Sequence, residues 1–193
     1  MNIELLYVVI YSYTLGSIPF GLVITKKFLK RDIRKIGSGN IGATNVFRTG
    51  KKSLGVATLL LDGFKAYASV LITMSFFSDY IYFSALLCLL GHIFPIWLKF
   101  NGGKGIAVYL GVLFAFSIYL GFIFIFSWMI ILYISKYSSL SSLISSLIIF
   151  LYSITLGNFS MSLLFFIILT IVIYTHKENI SRIRDKTEKK TNF

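Results

Sequence analysis

The sequence predicts an all-α, polytopic integral membrane protein, a small helical bundle of about seven spans. Three observations predict it. Of 193 residues, 56% are hydrophobic and only 13% charged, and the mean hydropathy is +0.82; a soluble domain of this size has no means of covering so much apolar surface, whereas lipid requires it. Runs such as IYLGFIFIFSWMIILYI do not alternate polar with apolar residues, as a lipid-facing barrel strand must. Finally, 18 of the 19 Lys and Arg residues lie outside the apolar runs, between them or after the last, Lys65 alone falling inside one.

Taken in order, the expected spans are 3–25, 54–75, 80–98, 105–118, 120–135, 140–156 and 160–175. The first lacks a basic n-region and is long enough to span, so it reads as a helix and not a cleavable leader. It is followed by a basic loop, 26–53, in which residues 26–52 hold nine Lys/Arg against one Asp, a charge of +8. Basic loops mark the cytoplasmic side, which puts the N-terminus outside. SFFSDY (75–80) then falls outside, the 99–104 loop inside, Gly121 near an outer turn, the 136–139 loop inside and GNFS (157–160) outside. The tail, 176–193, returns inside; residues 177–193 carry six Lys/Arg against three acids, +3. The stretch 105–135 is short for two crossings; one long tilted span or a re-entrant pair are the alternatives, and two short helices are preferred because a single span would put the basic C-terminus outside. No soluble domain, linker or repeat interrupts the chain, which reads as a single membrane domain over 1–193, and the polar tail beyond about Arg184 is expected to fray. Cys88, the only cysteine, sits in an apolar run as a filler.

The net charge of +12 raises nucleic acid as a partner, but both basic clusters abut spans, where they suit the membrane surface instead. Three polar inserts hold most of the groups able to bind a phosphate. GSGNIGATNVFR (37–48) has the spacing G-x-G-x-x-G, with Asp62 about twenty residues on, yet no strand precedes it and a dinucleotide fingerprint is rejected. What remains is a glycine turn whose consecutive N–H groups can face an anion, followed by a helix in which Asn40, Thr44 and Arg48 share a face. FNGGKG (100–105) is no Walker A motif, but Gly102 and Gly103 before Lys104 at a helix start offer turn amides and a point charge. In HKENISR (176–182), helical spacing puts His176 and Asn179 on one side and pairs Glu178 with Arg182. Asp62 and Lys65, three apart within a span, read as a structural pair, His92 near the end of a span as a packing or hydrogen-bonding group, and Ser139 and Ser142 as helix-start serines. The three inserts are expected to meet at the inner leaflet.

In this order and at these spacings, GSGNIGATNVFR, GHIFP followed by FNGGKG, and HKENI resemble the bacterial acyl-phosphate:glycerol-3-phosphate acyltransferase (PlsY) family, from the first span through Arg182. The resemblance implies a seven-helix monomer in the cytoplasmic membrane, its site facing the cytoplasm, that makes lysophosphatidic acid from acyl phosphate and glycerol 3-phosphate, the first acylation of phospholipid biosynthesis. It implies no cofactor and no metal, and an enzyme supplying acyl phosphate as a candidate peripheral partner. By the same resemblance Ser38, Arg48, His176 and Asn179 are catalytic, Lys104, Gly102 and Gly103 bind phosphate, and Ser142 matches a serine of a further family stretch; Ser142 and, from the first insert, Asn40, Thr44 and Asn45 are expected to bind substrate as well. Glu178 joins Asp62, Lys65 and His92 as support. The stretch around Ser142 departs from the family's, reading SLSS after Lys136–Tyr137.

The residues agree with that chemistry. Neither histidine has an acid five positions on, where Trp97 and Ser181 stand, and no nucleophile has a His and acid partner. An acyl phosphate already carries a good leaving group, so positioning and electrostatic stabilisation can supply more of the catalysis. The base is either His176 or the acceptor's own phosphate. A transporter for phosphorylated solutes is the main rival, but it would place polar groups at the midplane and show repeats. A non-catalytic scaffold has no need of three anion-binding inserts.

Overall fold

The computed structural model describes residues 3–191, and every regular element among them is helical. The chain packs as two compact units, one ending at Phe116 and the other beginning at Ser117. The first contains α1 (Ile3–Gly16), α2 (Phe20–Leu29), α3 (Ala43–Phe47), α4 (Lys52–Phe76), α5 (Ile81–Ile93) and α6 (Ile106–Phe116). The second contains α7 (Ile118–Ser135), α8 (Ser138–Thr155), α9 (Phe159–Thr175) and α10 (Lys177–Arg184).

In the first unit, α4 packs against α1, α5 and α6, and α1 packs along α5. The first apolar run is broken between α1 and α2 at Ser17–Pro19, because Pro19 has no N–H to continue the ladder. The carbonyls this strands are taken up by side chains: Trp97 Nε1 donates to Ser17 O at 2.8 Å and Lys65 Nζ to Ile18 O at 2.7 Å. The α4–α6 crossing is close because Gly111 lies on the Gly63 carbonyl, where any Cβ would overlap it. A polar ladder crosses the buried interior, Ser12 Oγ donating to Ser84 Oγ at 2.9 Å and Ser84 meeting Ser69 at 3.0 Å. In the second unit α8 lies between α7 and α9. Most of its serines are buried, and Ser141, Ser142 and Ser146 return their hydroxyls to carbonyls one turn back, Tyr137 O, Ser138 O and Ser142 O, so these three need no partner in lipid.

Among the described residues, five helical segments are long and apolar enough to cross a membrane: Ile3–Leu29, Lys52–Phe76, Ser78–Leu98, Ile118–Ser135 and Ser138–Thr155. A sixth is added if α9 and α10 count as one span bent by 59°. All seven expected segments are helical, but α6 has only 11 residues. At 1.5 Å per residue that is about 16 Å, against about 30 Å of hydrocarbon. The stretch 105–135 is two helices separated at Ser117, and only α7 is of crossing length.

Candidate functional site

The glycine insert of the first unit is a folded structure with its own apolar base. Leu22, Ile33, Ile41 and Val46 form a buried cluster beneath it, with Ile36, Leu54 and Leu98 packed against them. At its centre is Asn45, 2% exposed. Its Nδ2 group donates to Asn40 O at 2.8 Å and Ile36 O at 2.9 Å, with Ile33 O at 3.2 Å, and its Oδ1 accepts from Ser38 N at 3.0 Å. Gly37 (φ +62°) is where a Cβ would strike that Oδ1, so glycine is required there twice over. At the loop's entry, the hydrogen-bonded Arg34 guanidinium holds the Asp32 carboxyl well below the usual carboxylate range.

This geometry corrects two expectations. Three amides of the glycine turn are not turned towards an anion: Ser38 N–H is held by Asn45, Gly39 N–H by Ile36 O at 3.0 Å and Gly42 N–H by Asn40 Oδ1 at 2.7 Å. The helix is also shorter than 40–48; it starts at Ala43 after Gly42, so Asn40 lies outside it in an Asx turn and only Thr44 and Arg48 keep the four-residue spacing. Asn45 and Asn40, expected among the substrate-binding residues, direct their side-chain oxygens and amide to the loop itself. The side chains of Ser38, Thr44 and Arg48 stand exposed.

The second insert is corrected in the same way. Gly102 N–H donates to Ile93 O at 2.9 Å and Gly103 N–H to His92 O at 3.0 Å, capping the end of α5. A Cβ on Gly102 would meet His92 O and the Pro95 ring, and one on Gly103 the His92 imidazole. These glycines bring the backbone down onto α5, and their amides face the protein. Lys104 follows, half-buried, two residues before α6. Below lies a buried polar cluster: Lys65 Nζ is 2.7 Å from Asp62 Oδ1 and 3.0 Å from His92 Nδ1, with all three residues 4% exposed or less. The expected Asp62–Lys65 pair is thus present, with His92 as its third member.

In the second unit the chain bends at His176, which ends α9 and begins α10. His176 is 3% exposed and its Nδ1 lies 2.8 Å from Val172 O. A carbonyl only accepts, so Nδ1 carries the proton and Nε2 is the basic nitrogen of the neutral ring. Asn179, 6% exposed, is one turn on. Its Nδ2 donates at 2.6 Å to Glu188 Oε1, which also accepts from Ser139 Oγ at 2.8 Å. Arg182 Nε donates to Glu188 Oε2 at 2.7 Å and reaches the expected partner, Glu178, only at 3.5 Å. Burial raises the Glu188 pKa, but the hydrogen bonds from Arg182, Asn179 and Ser139 outweigh it and hold the carboxyl below its ordinary value. Ser142 Oγ donates to Ser138 O and accepts from Trp128 Nε1 at 3.1 Å.

Glu188 is the residue that sequence reasoning missed. The expected frayed tail instead folds back: Glu188 N–H donates to Arg182 O at 3.1 Å and Thr191 N–H to Lys136 O at 2.8 Å. An acid among lysines gave no periodic signal; its role depends on Lys186 turning through φ +57°. A cleft of about 430 Å³, lined by Phe150, Phe159 and Phe166 among others, is at the α8–α9 turn, the other end of α9 from His176. It is apolar and carries none of these groups.

Helices of membrane-crossing length, with Lys, Arg, His and Asn side chains at their ends, define an integral membrane protein of the helical class. A family model described as glycerol-3-phosphate acyltransferase matches residues 6–186. The glycerol-3-phosphate acyltransferase of Pelagibacter ubique (strain HTCC1062) is 55% identical over 188 residues, 97% of this chain and 98% of that protein. That of Brucella ovis is 43% identical over 189 residues, 98% and 94% of the two chains. Two crystal structures of PlsY, an integral membrane glycerol 3-phosphate acyltransferase, are 37% identical and cover 97% of this chain and 95% of theirs: the glycerol 3-phosphate form with a TM-score of 0.92, the lysophosphatidic acid form with 0.90. The chain belongs to the glycerol-3-phosphate acyltransferase family.

Proposed function

We propose that this protein transfers an acyl group from acyl phosphate to glycerol 3-phosphate, releasing lysophosphatidic acid and inorganic phosphate at the cytoplasmic face of the cell membrane. The observation that carries this reading is the likeness, over nearly the whole chain, to a solved acyltransferase in its glycerol 3-phosphate form. The acceptor hydroxyl attacks the carbonyl carbon, the carbon–oxygen bond to phosphate breaks, and phosphate leaves with the electron pair. Lys104, Arg48 and Ser38 are assigned to the phosphate groups. His176 Nε2 takes the hydroxyl proton, a role its bond to Val172 O prepares. Asn179 orients the hydroxyl or stabilises the developing oxyanion, held in place by Glu188. Ser142, with its hydroxyl engaged within the helix, shapes the substrate surface.

The chain acts as a monomer with the N-terminus outside, the C-terminus inside and seven membrane-inserted helices, α6 among them as a partial crossing. The deciding assay uses purified protein in detergent with acyl phosphate and glycerol 3-phosphate. Acyl ester forming without any membrane gradient supports catalysis and excludes transport and scaffolding. Equal or faster reaction with an acyl thioester refutes the choice of donor.

A further inference from the structure

The buried Asp62–Lys65–His92 cluster does more than tie α4 to α5. An ammonium has three N–H bonds and no lone pair. Lys65 directs them at three acceptors, Ile18 O at 2.7 Å, Asp62 Oδ1 at 2.7 Å and His92 Nδ1 at 3.0 Å. His92 Nδ1 is therefore an acceptor, and the proton of the neutral ring sits on Nε2. That nitrogen faces the second insert, since it is the atom a Cβ on Gly103 would strike. His92 is 3% exposed, and no described residue hydrogen-bonds Nε2. The Gly102 and Gly103 amides point into the end of α5, so these two donors are not turned towards an anion beside Lys104.

We propose that His92 Nε2–H supplies a donor in place of those two amides, hydrogen-bonding a phosphate oxygen held beside Lys104, with Lys65 fixing its tautomer. The Nε2–H gains an anionic acceptor, and the oxyanion gains a neutral donor beside the lysine cation. His92 thereby touches substrate, while Lys65 and Asp62 position it. This rests on the phosphate role of the Lys104 loop in the proposed function, but not on turnover.

The test is nitrogen-15 NMR of histidine-labelled protein in detergent micelles, titrated with inorganic phosphate. The chain has two histidines, so His92 is assigned by its absence from His92→Gln. The expected result is an Nε2-protonated ring whose Nε2–H resonance moves saturably with phosphate while Nδ1 moves little. A ring protonated on Nδ1, or an Nε2 resonance unmoved at saturating phosphate, overturns the proposal. Because phosphate binding is read directly, the outcome is independent of whether acyl transfer is observed. In the kinetic arm, His92→Gln should raise KM for a phosphate substrate about tenfold, with kcat within about twofold. A fall in kcat with KM unchanged for both substrates also overturns it.

Discussion

Removing the Glu188 carboxylate tests whether the tail sets the orientation of Asn179. Glu188→Ala deletes one acceptor group shared by Asn179, Arg182 and Ser139, at 2.6, 2.7 and 2.8 Å. Hydrogen bonds to a charged group contribute about 1.5–3 kcal/mol each, and bonds sharing one group do not add. Because Arg182 is partly exposed and water can replace the carboxylate there, the expected loss of stability is about 2–3 kcal/mol. Losing an oxyanion donor outright costs about 10²–10³ in kcat. A misaligned Asn179 should fall short of that, so Glu188→Ala is expected to lower kcat about 10- to 100-fold. The assay is phosphate release from acyl phosphate in detergent, run as a cycle with Asn179→Ala and the double variant. If Glu188 acts through Asn179, the double variant matches Asn179→Ala within about 0.5 kcal/mol. Fully additive losses, or a Glu188→Ala enzyme of unchanged kcat, refute the reasoning. The pH dependence follows from the same contacts. The Glu188 pKa is lower in the folded state than unfolded, so its stabilisation is present above the ordinary glutamate value of about 4.3 and is lost as pH falls through the folded value. The stability gap between wild type and Glu188→Gln should therefore close on acidification below about pH 4; a gap that widens there contradicts the assignment.

Lys104→Ala should raise KM for glycerol 3-phosphate or acyl phosphate by about tenfold or more with a smaller effect on kcat, and unaltered KM for both would remove Lys104 from phosphate binding. Asn45→Ala strands the carbonyls of Ile36 and Asn40 and the Ser38 N–H, so thermal unfolding in detergent should show a loss of about 2–4 kcal/mol; a variant within about 0.5 kcal/mol of wild type would mean the insert is not held this way. Gly103→Ala forces a methyl onto the His92 ring and should cost both stability and phosphate affinity, so wild-type behaviour in both measurements would contradict the loop's packing. For sidedness, single cysteines at Lys51, Asn101 and Lys189 should label only from the cytoplasm and one at Ser78 only from outside; the reverse pattern for any of them would break the proposed topology.

The amino-acid sequence by itself determined the membrane class, the helical character of all seven apolar segments, and the residues that carry charge at their ends. Apolar runs and basic flanks are local properties that lipid and water read directly, so no tertiary information is needed to find them. The family was equally legible, because GSGNIGATNVFR, FNGGKG and HKENI are contiguous strings. Hydrogen-bond direction was not. Glycine spacing suggested amides turned towards an anion, but Asn45, Ile36 and the last carbonyls of α5 accept those protons instead, and which acceptor lies within 3 Å depends on how separate segments pack. The same holds for Lys65 reaching Ile18 and His92, 47 and 27 residues away, and for Glu188 reaching Ser139, 49 residues away. Only the tertiary structure decided which donors are already satisfied, because a donor's availability depends on every acceptor near it in space and not on its neighbours along the chain.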